Sequence, residues 1–244
     1  MRQLEADLIS EAACKALAEE IAKKETRVDV LINNAGFAFG GSIESHDEKG
    51  PHHSLPLLPL ILLLYSNSLT NTLTHTVWNK VLAVNVTSPF HLTRYLLPLL
   101  DAAAIAPDSA RIINIGSCAG FMPQMIDTFA YDTSKAAMHH MTRVLAAKLA
   151  RRPNGGHILV NAIAPGLVPT QMGEGIARAT GVPVEKMTSF IPLERYATDA
   201  DMAGLAIFLA SKASGWITGT VISADGGQIQ AAETGIPPLR QSNI

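Results

Sequence analysis

The chain has 244 residues, 48% hydrophobic and 16% charged, enough apolar material to bury a sizeable core as one α/β domain. Its net charge of -2 comes without any basic block, which argues against nucleic acid or an anionic membrane as a partner. Cys14 and Cys118 lie far apart with no CxxC or Cys/His spacing, so neither a disulfide framework nor a zinc site is indicated, and a reducing, cytoplasmic setting fits best.

The first residues, Met1 to Asp7, hold no basic stretch followed by an apolar core and do not read as a signal peptide. Ser10 is placed to cap a helix whose apolar positions Cys14, Leu17, Ala18 and Ile21 recur at helical spacing, with Lys23 and Lys24 suited to its C-terminal end. Val28 to Ile32 reads as a buried parallel strand running into Asn33-Asn34-Ala35-Gly36, which is either an ordinary strand-end turn or a loop of the kind that binds ligands beyond strand ends in open α/β sheets.

After Gly41 the sequence changes character. From Pro51 to Val77 there is no Asp, Glu, Lys or Arg, and no helical or alternating period persists. Its apolar stretch Leu55 to Leu64 is broken by Pro56 and Pro59 and falls short of the roughly 20 residues that span a bilayer. At Trp78 ordinary patterning resumes, and Trp78, Leu82, Asn85 and Pro89 begin a helix that carries on through Leu92, Tyr95 and Leu96.

Arg111 to Ile115 is the next buried strand, ending at Gly116-Ser117. Tyr131 opens a long helix on which Ala137, Met141, Val144, Leu145 and Lys148 trace one stripe. Ile158 to Ala164 is a further strand, closed by Pro165-Gly166. Thr198 and Asp201 form a capping box for a helix that buries Leu205, Phe208 and Leu209, and Gly219 to Ile222 is the last strand, before Asp225-Gly226-Gly227. Strands alternating with helices give a doubly wound parallel sheet in a single domain spanning residues 1–244.

Within Tyr131-Asp132-Thr133-Ser134-Lys135, the phenol and the ammonium are four residues apart and share one helix face, about 6 Å from each other. A free phenol titrates near pH 10, and a cation within roughly 4 to 6 Å lowers that value by about 1 to 3 units. At about 4 Å and an effective dielectric near 20, one such charge is worth roughly 4 kcal/mol before desolvation is subtracted. Alone, the pair is common on solvated helices. Together with Asn33-Asn34-Ala35-Gly36, Asn85 in Val84-Asn85-Val86-Thr87, Ser117 in Ile115-Gly116-Ser117-Cys118-Ala119-Gly120, and Pro165-Gly166, all in one order, it resembles the short-chain dehydrogenase/reductase family over most of the chain.

That resemblance implies a Rossmann-like fold and hydride transfer between the nicotinamide of NAD or NADP and an alcohol or ketone carbon of a small molecule. Tyr131 would be the acid/base, Lys135 would lower its pKa and hydrogen-bond the nicotinamide ribose, Ser117 would hold the substrate oxygen, and Asn85 would hold a water that relays protons to Lys135. Read structurally, Ser117 is a strand-end serine and Asn85 a helix-kinking or capping amide. Asp7 and Leu8 match the adenine-contacting position, Asn34, Ala35 and Gly36 would line the adenosine ribose, and Pro165, Gly166, Val168 and Thr170 would embrace the nicotinamide end. The segment Gln171 to Phe190 would be a substrate lid, and the helices from Trp78 and Thr133 would pack between subunits of a homodimer or homotetramer.

The sequence also departs from the family. No G-x-x-x-G-x-G run occurs, so the initial βαβ portion, whose turn would receive the pyrophosphate, is expected to be lacking, through a truncated gene model or in a cofactor-free relative. Joining Gly50 to Trp78 restores uninterrupted family sequence, and residues 51–77 read as translated non-coding sequence, with a genuine lid or interaction loop as the rival reading. Activity is therefore expected to be impaired, and a non-catalytic binding or assembly subunit is the alternative. His139 and His140 are read as surface or subunit-contact residues, and His52, His53 and His75 make no metal spacing. Met122, Met125, Met172 and Met187 are read either as pocket lining or as core.

Overall fold

The computed structural model describes residues 3–40, 43, 77–124, 126–170 and 183–231. Residues 51–76, most of the atypical segment, lie outside the described residues, as do residues 171–182 of the expected lid, Met125, Met172 and the three histidines of that segment.

Helix α1 (Glu11–Ala22) starts at the expected cap, where Ser10 Oγ accepts the Ala13 N–H at 3.2 Å, and Cys14 and Ala18 of its apolar stripe are buried. Strand β1 (Val30–Asn33) begins later than the apolar run suggests and takes in Asn33. The run from Val77 is one helical rod of three pieces: α2 (Val77–Leu82), a π-helical turn at Ala83–Thr87, and α3 (Ser88–Ala103). Strand β2 (Ala110–Ile115) leads through a 3-10 turn (Cys118–Gly120) to α4 (Phe129–Leu149), and β3 (Ile158–Pro165) follows. The remainder comprises a short α5 (Val184–Met187), α6 (Asp199–Ala210) and β4 (Val221–Ala224).

The described strands form one four-stranded sheet in the order β1-β2-β3-β4, parallel throughout. On one face α1, α3 and α4 close over Ile112, Ile158 and Val160, with Leu96, Leu100 and Ala146 from the helices; on the other, Leu209 of α6 packs on Ile113 and Ile163. Helices on both faces make the sheet doubly wound. Register sets Asn33 opposite Asn114, Ile115 opposite Ile163 and Pro165 opposite Ala224, so the loops after the strands all leave from one edge. Among the described strands β1 is an outer one, and Ile32 there is 47% exposed.

Two expectations about helix faces are corrected. Helix α4 begins at Phe129, ahead of Tyr131, and buries Ser134, Lys135, Met138, His139, Thr142, Ala146 and Leu149, leaving Val144 and Lys148 outside. Of the expected stripe Leu145 packs on the core and Ala137 and Met141 are half-buried, while polar residues carry much of the sheet-facing side. On α6 the capping box is formed as expected, with Thr198 N–H donating to Asp201 Oδ2 at 2.7 Å and Asp201 N–H to Thr198 Oγ1 at 3.3 Å. Leu209 is buried there, whereas Phe208 stays exposed because that helix is apolar on every side and only one side meets the sheet.

Candidate active site

The site forms where β2 ends. Ser117 caps the 3-10 turn, its Oγ accepting the Ala119 N–H at 3.1 Å, and the residue is buried. Tyr131 enters from the first turn of α4, half-buried, with the Ser117 side chain near enough to act on its phenol. Burial pushes the phenol's pKa up, and the Ser117 hydrogen bond pulls it part of the way back. Lys135 is one turn further along and buried; its Nζ donates to the Ile115 carbonyl at 2.9 Å and stands 5.5 Å from the centre of the Tyr131 ring.

The expectation that Lys135 depresses the Tyr131 pKa is therefore not met in the chain by itself. Desolvation governs the phenol, while burial also lowers Lys135, to about 8. The ammonium is engaged by a backbone carbonyl and stands over the ring.

Asn85 is fully buried in the π-helical turn, a distortion frequent at functional sites. Its Nδ2 donates to Ser134 Oγ on α4 and to the Phe37 carbonyl, both at 2.9 Å, and its Oδ1 accepts the Phe37 N–H at 2.7 Å. The amide thus ties the loop after β1 to α4. A β-carbon on Gly36 would lie 3.7 Å from both Asn85 Oδ1 and Lys135 Nζ, so that loop runs directly beside the catalytic candidates.

Leu8, Asn34 and Ala35 line a cavity of about 210 Å³ between α1, β1 and α3, together with Asn33, Val84 and Ser88. Asp7 is exposed, and its Oδ1 accepts the Ile9 N–H at 3.0 Å, which shapes the turn that carries Leu8. Leu8 in turn receives the Ser88 hydroxyl on its carbonyl. Pro165 ends β3, the strand next to β2, and Gly166, Val168 and Thr170 follow it, outside this cluster. Gly166 N–H donates to the Ala224 carbonyl at 3.1 Å, and a β-carbon there would come to 2.8 Å from Asp225 Cα, so only glycine permits that crossing. Val168 is half-buried and Thr170 exposed. Among the described residues no group of His, Cys, Asp and Glu is arranged to hold a metal ion.

Sequence reasoning missed a buried polar chain. Asn33 Nδ2 donates to Asn114 Oδ1 at 2.8 Å, Asn114 Nδ2 to Thr142 Oγ1 at 2.9 Å, and Thr142 Oγ1 to the Met138 carbonyl at 2.9 Å. An asparagine near the end of each of two apolar runs was the available signal. His139 was read as a surface or subunit-contact residue; it is 2% exposed and packs against the Ser117 turn, because it lies one turn beyond Lys135 on the same helix face. His140 is exposed.

A family profile described as enoyl-(acyl carrier protein) reductase matches residues 63–228. The rhamnolipids biosynthesis 3-oxoacyl-[acyl-carrier-protein] reductase of Pseudomonas aeruginosa is 39% identical over 222 residues, 91% of this chain and 74% of that protein. The short-chain dehydrogenase/reductase PhomF' of Diaporthe leptostromiformis is 31% identical over 231 residues, 93% of this chain and 73% of that protein. Among solved structures, the Pseudomonas aeruginosa RhlG/NADP active-site complex superposes with a TM-score of 0.72 at 37% identity, covering 92% of this chain and 75% of that one.

Proposed function

The chain belongs to the short-chain dehydrogenase/reductase family of oxidoreductases, and from that membership we propose that it interconverts an alcohol and a ketone in a small molecule, using NAD or NADP, with Tyr131 as acid/base. The observation that carries this reading is the placement of Lys135 Nζ 5.5 Å from the centre of the Tyr131 ring and on the Ile115 carbonyl at the end of β2, beside buried Ser117.

The residues present fit a dinucleotide on two counts. Asn33 Oδ1 is buried without a hydrogen-bond partner among the described residues, at the wall of the cavity, and Gly36 presents bare backbone beside Lys135 and Asn85. Asp7, Leu8, Asn34, Ala35 and Gly36 would hold the adenosine end, and Pro165, Gly166, Val168 and Thr170 the nicotinamide end. When bound, the cofactor supplies or accepts the hydride. Ser117 orients the substrate oxygen through its hydroxyl. Tyr131 keeps its proton at neutral pH, as any phenol does and as burial reinforces, so it can act as the acid that protonates a carbonyl oxygen during reduction. Lys135 holds positive charge beside the ring below about pH 8.

Turnover of the chain as it stands is expected to be weak, because its sequence offers no G-x-x-x-G-x-G turn for the pyrophosphate. Residues 51–77 are read as translated non-coding sequence; a dominant transcript that retains them would sink that reading. A homodimer or homotetramer through α3 and α4 is supported by exposed Phe90 and Val144 on those helices, and light scattering of the purified chain would test it.

The decisive experiment is fluorescence titration with NADPH and NADH, NADPH first because the RhlG structure was obtained with NADP. Binding of either, with a Tyr131→Phe variant that retains binding and loses about 100-fold or more in turnover, is the expected result. Failure to bind both nucleotides, or unchanged turnover in the variant, would remove the reading.

A further inference from the structure

His139 has no place in the chemistry above, yet it is buried against the residue that holds the substrate oxygen. A β-carbon on Gly116 would collide with its Nε2, and one on Gly120 would come to 2.6 Å from its Cε1. The imidazole therefore occupies a slot between the two glycines that bracket Ser117-Cys118-Ala119, a slot that closes if either glycine gains a side chain. Phe121 covers the ring, with centroids 4.5 Å apart and planes tilted by 45°. The Ser117 N–H points at Nε2 from 3.5 Å, the long end of hydrogen-bonding range, while Nδ1 faces the Gly120 backbone without a well-formed hydrogen bond.

We propose that His139 is a positioning residue: held in the slot between Gly116 and Gly120, its Nε2 accepts the Ser117 N–H and fixes the turn that aims the Ser117 hydroxyl at Tyr131. The tautomer follows from that contact, since a ring that accepts at Nε2 carries its proton at Nδ1. The ring is uncharged across the neutral range, because burial first, and the charges of Arg143 and Lys135 next, bring its pKa down to about 4. A protonated ring would turn Nε2 into a donor facing another donor. The role assigned to Ser117 rests on the oxidoreductase reading; the contact with His139 does not.

The test is made on the full chain labelled with 15N. Long-range proton–nitrogen correlation should show His139 protonated at Nδ1 and bare at Nε2 through the neutral range. Hydrogen exchange of the Ser117 amide should be about tenfold faster in His139→Leu, the effect of losing one hydrogen bond of ordinary net strength. It should return toward the original rate in His139→Gln, whose carbonyl can take the place of Nε2. A proton found on Nε2, or equal Ser117 protection in His139→Leu with an otherwise unchanged amide spectrum, would overturn the proposal. If His139→Leu does not fold, the tautomer of the unaltered chain and the exchange rate in His139→Gln still decide it. Where turnover is measurable, His139→Leu should lower kcat with NADPH affinity unchanged. Absent turnover in every form would count against the oxidoreductase reading and leave the exchange result standing.

Discussion

Asn85 holds Phe37 by both of its backbone groups, accepting the N–H on Oδ1 at 2.7 Å and donating from Nδ2 to the carbonyl at 2.9 Å. The same Nδ2 reaches Ser134 on α4, so one side chain fixes the loop after β1 against the helix that carries Tyr131 and Lys135. This makes the amide a structural clamp between that loop and α4.

Asn85→Ala removes all three hydrogen bonds from a fully buried position and strands the Phe37 backbone. The loss is expected to be roughly 2 to 3 kcal/mol, read from urea denaturation midpoints at constant m-value. NADPH affinity should fall as well, because Gly36 moves with Phe37. An unchanged midpoint would mean that the clamp adds nothing to stability.

Thr142 joins α4 to the sheet by accepting from Asn114 and donating to the Met138 carbonyl. Thr142→Val keeps the shape and deletes the hydroxyl, which leaves Asn114 Nδ2 buried without its partner. A cost of about 1 to 2 kcal/mol is expected, and Asn114→Leu together with Thr142→Val should cost less than the two single costs summed, because the groups form one network. Strict additivity would show that they act apart.

How much of this was legible in the sequence depended on whether the signal was local. The Ser10 cap, the Thr198 and Asp201 box and the Ile112-Ile113 strand are decided by neighbours a few residues away, and they stand where the pattern put them. The pairing of Asn33 with Asn114 joins residues 81 apart and depends on strand register, which no local period encodes. The buried face of α4 misled for a physical reason: a helix that brings a lysine, a histidine and a threonine to the sheet satisfies them by hydrogen bonds and packing there, and its outward face is free to carry Met141 and Val144. Tyr131, Lys135, Ser117 and Asn85 could be named as a candidate set from their motifs, but the π-helical turn that seats Asn85 and the glycine slot that seats His139 become visible only in three dimensions.

The slot gives its own prediction. Gly116→Ala places a methyl group against the His139 ring and 3.3 Å from the Ile163 carbonyl, in a part of the core with nowhere to yield. Overpacking of this kind costs about 1 to 3 kcal/mol. Adding His139→Ala opens the slot, and the double variant should recover part of that loss relative to the sum of the single variants in thermal or urea unfolding. No recovery would place the strain at Ile163.

Lys135 supplies a pH dependence whose sign follows from the direction of its shift. Its ordinary pKa is 10.5, and burial brings it to about 8 in the fold. Between those values the unfolded chain binds a proton that the folded chain does not, so stability rises with pH across the window, and below it the cost of burying the ammonium is carried in full. The full span is on the order of 3 kcal/mol. Tyr131 acts in the opposite sense, because its pKa is raised: above its ordinary value of 10.0 the unfolded chain releases the phenol proton first, and stability falls. The Lys135 contribution is therefore read between about pH 8 and about pH 10, by urea denaturation at steps across that range. Lys135→Met should raise stability at neutral pH and flatten the rise, whereas the same slope in both proteins would assign the titration to another group. The ammonium is thus kept at a cost to folding, offset in part by its hydrogen bond to the Ile115 carbonyl at 2.9 Å.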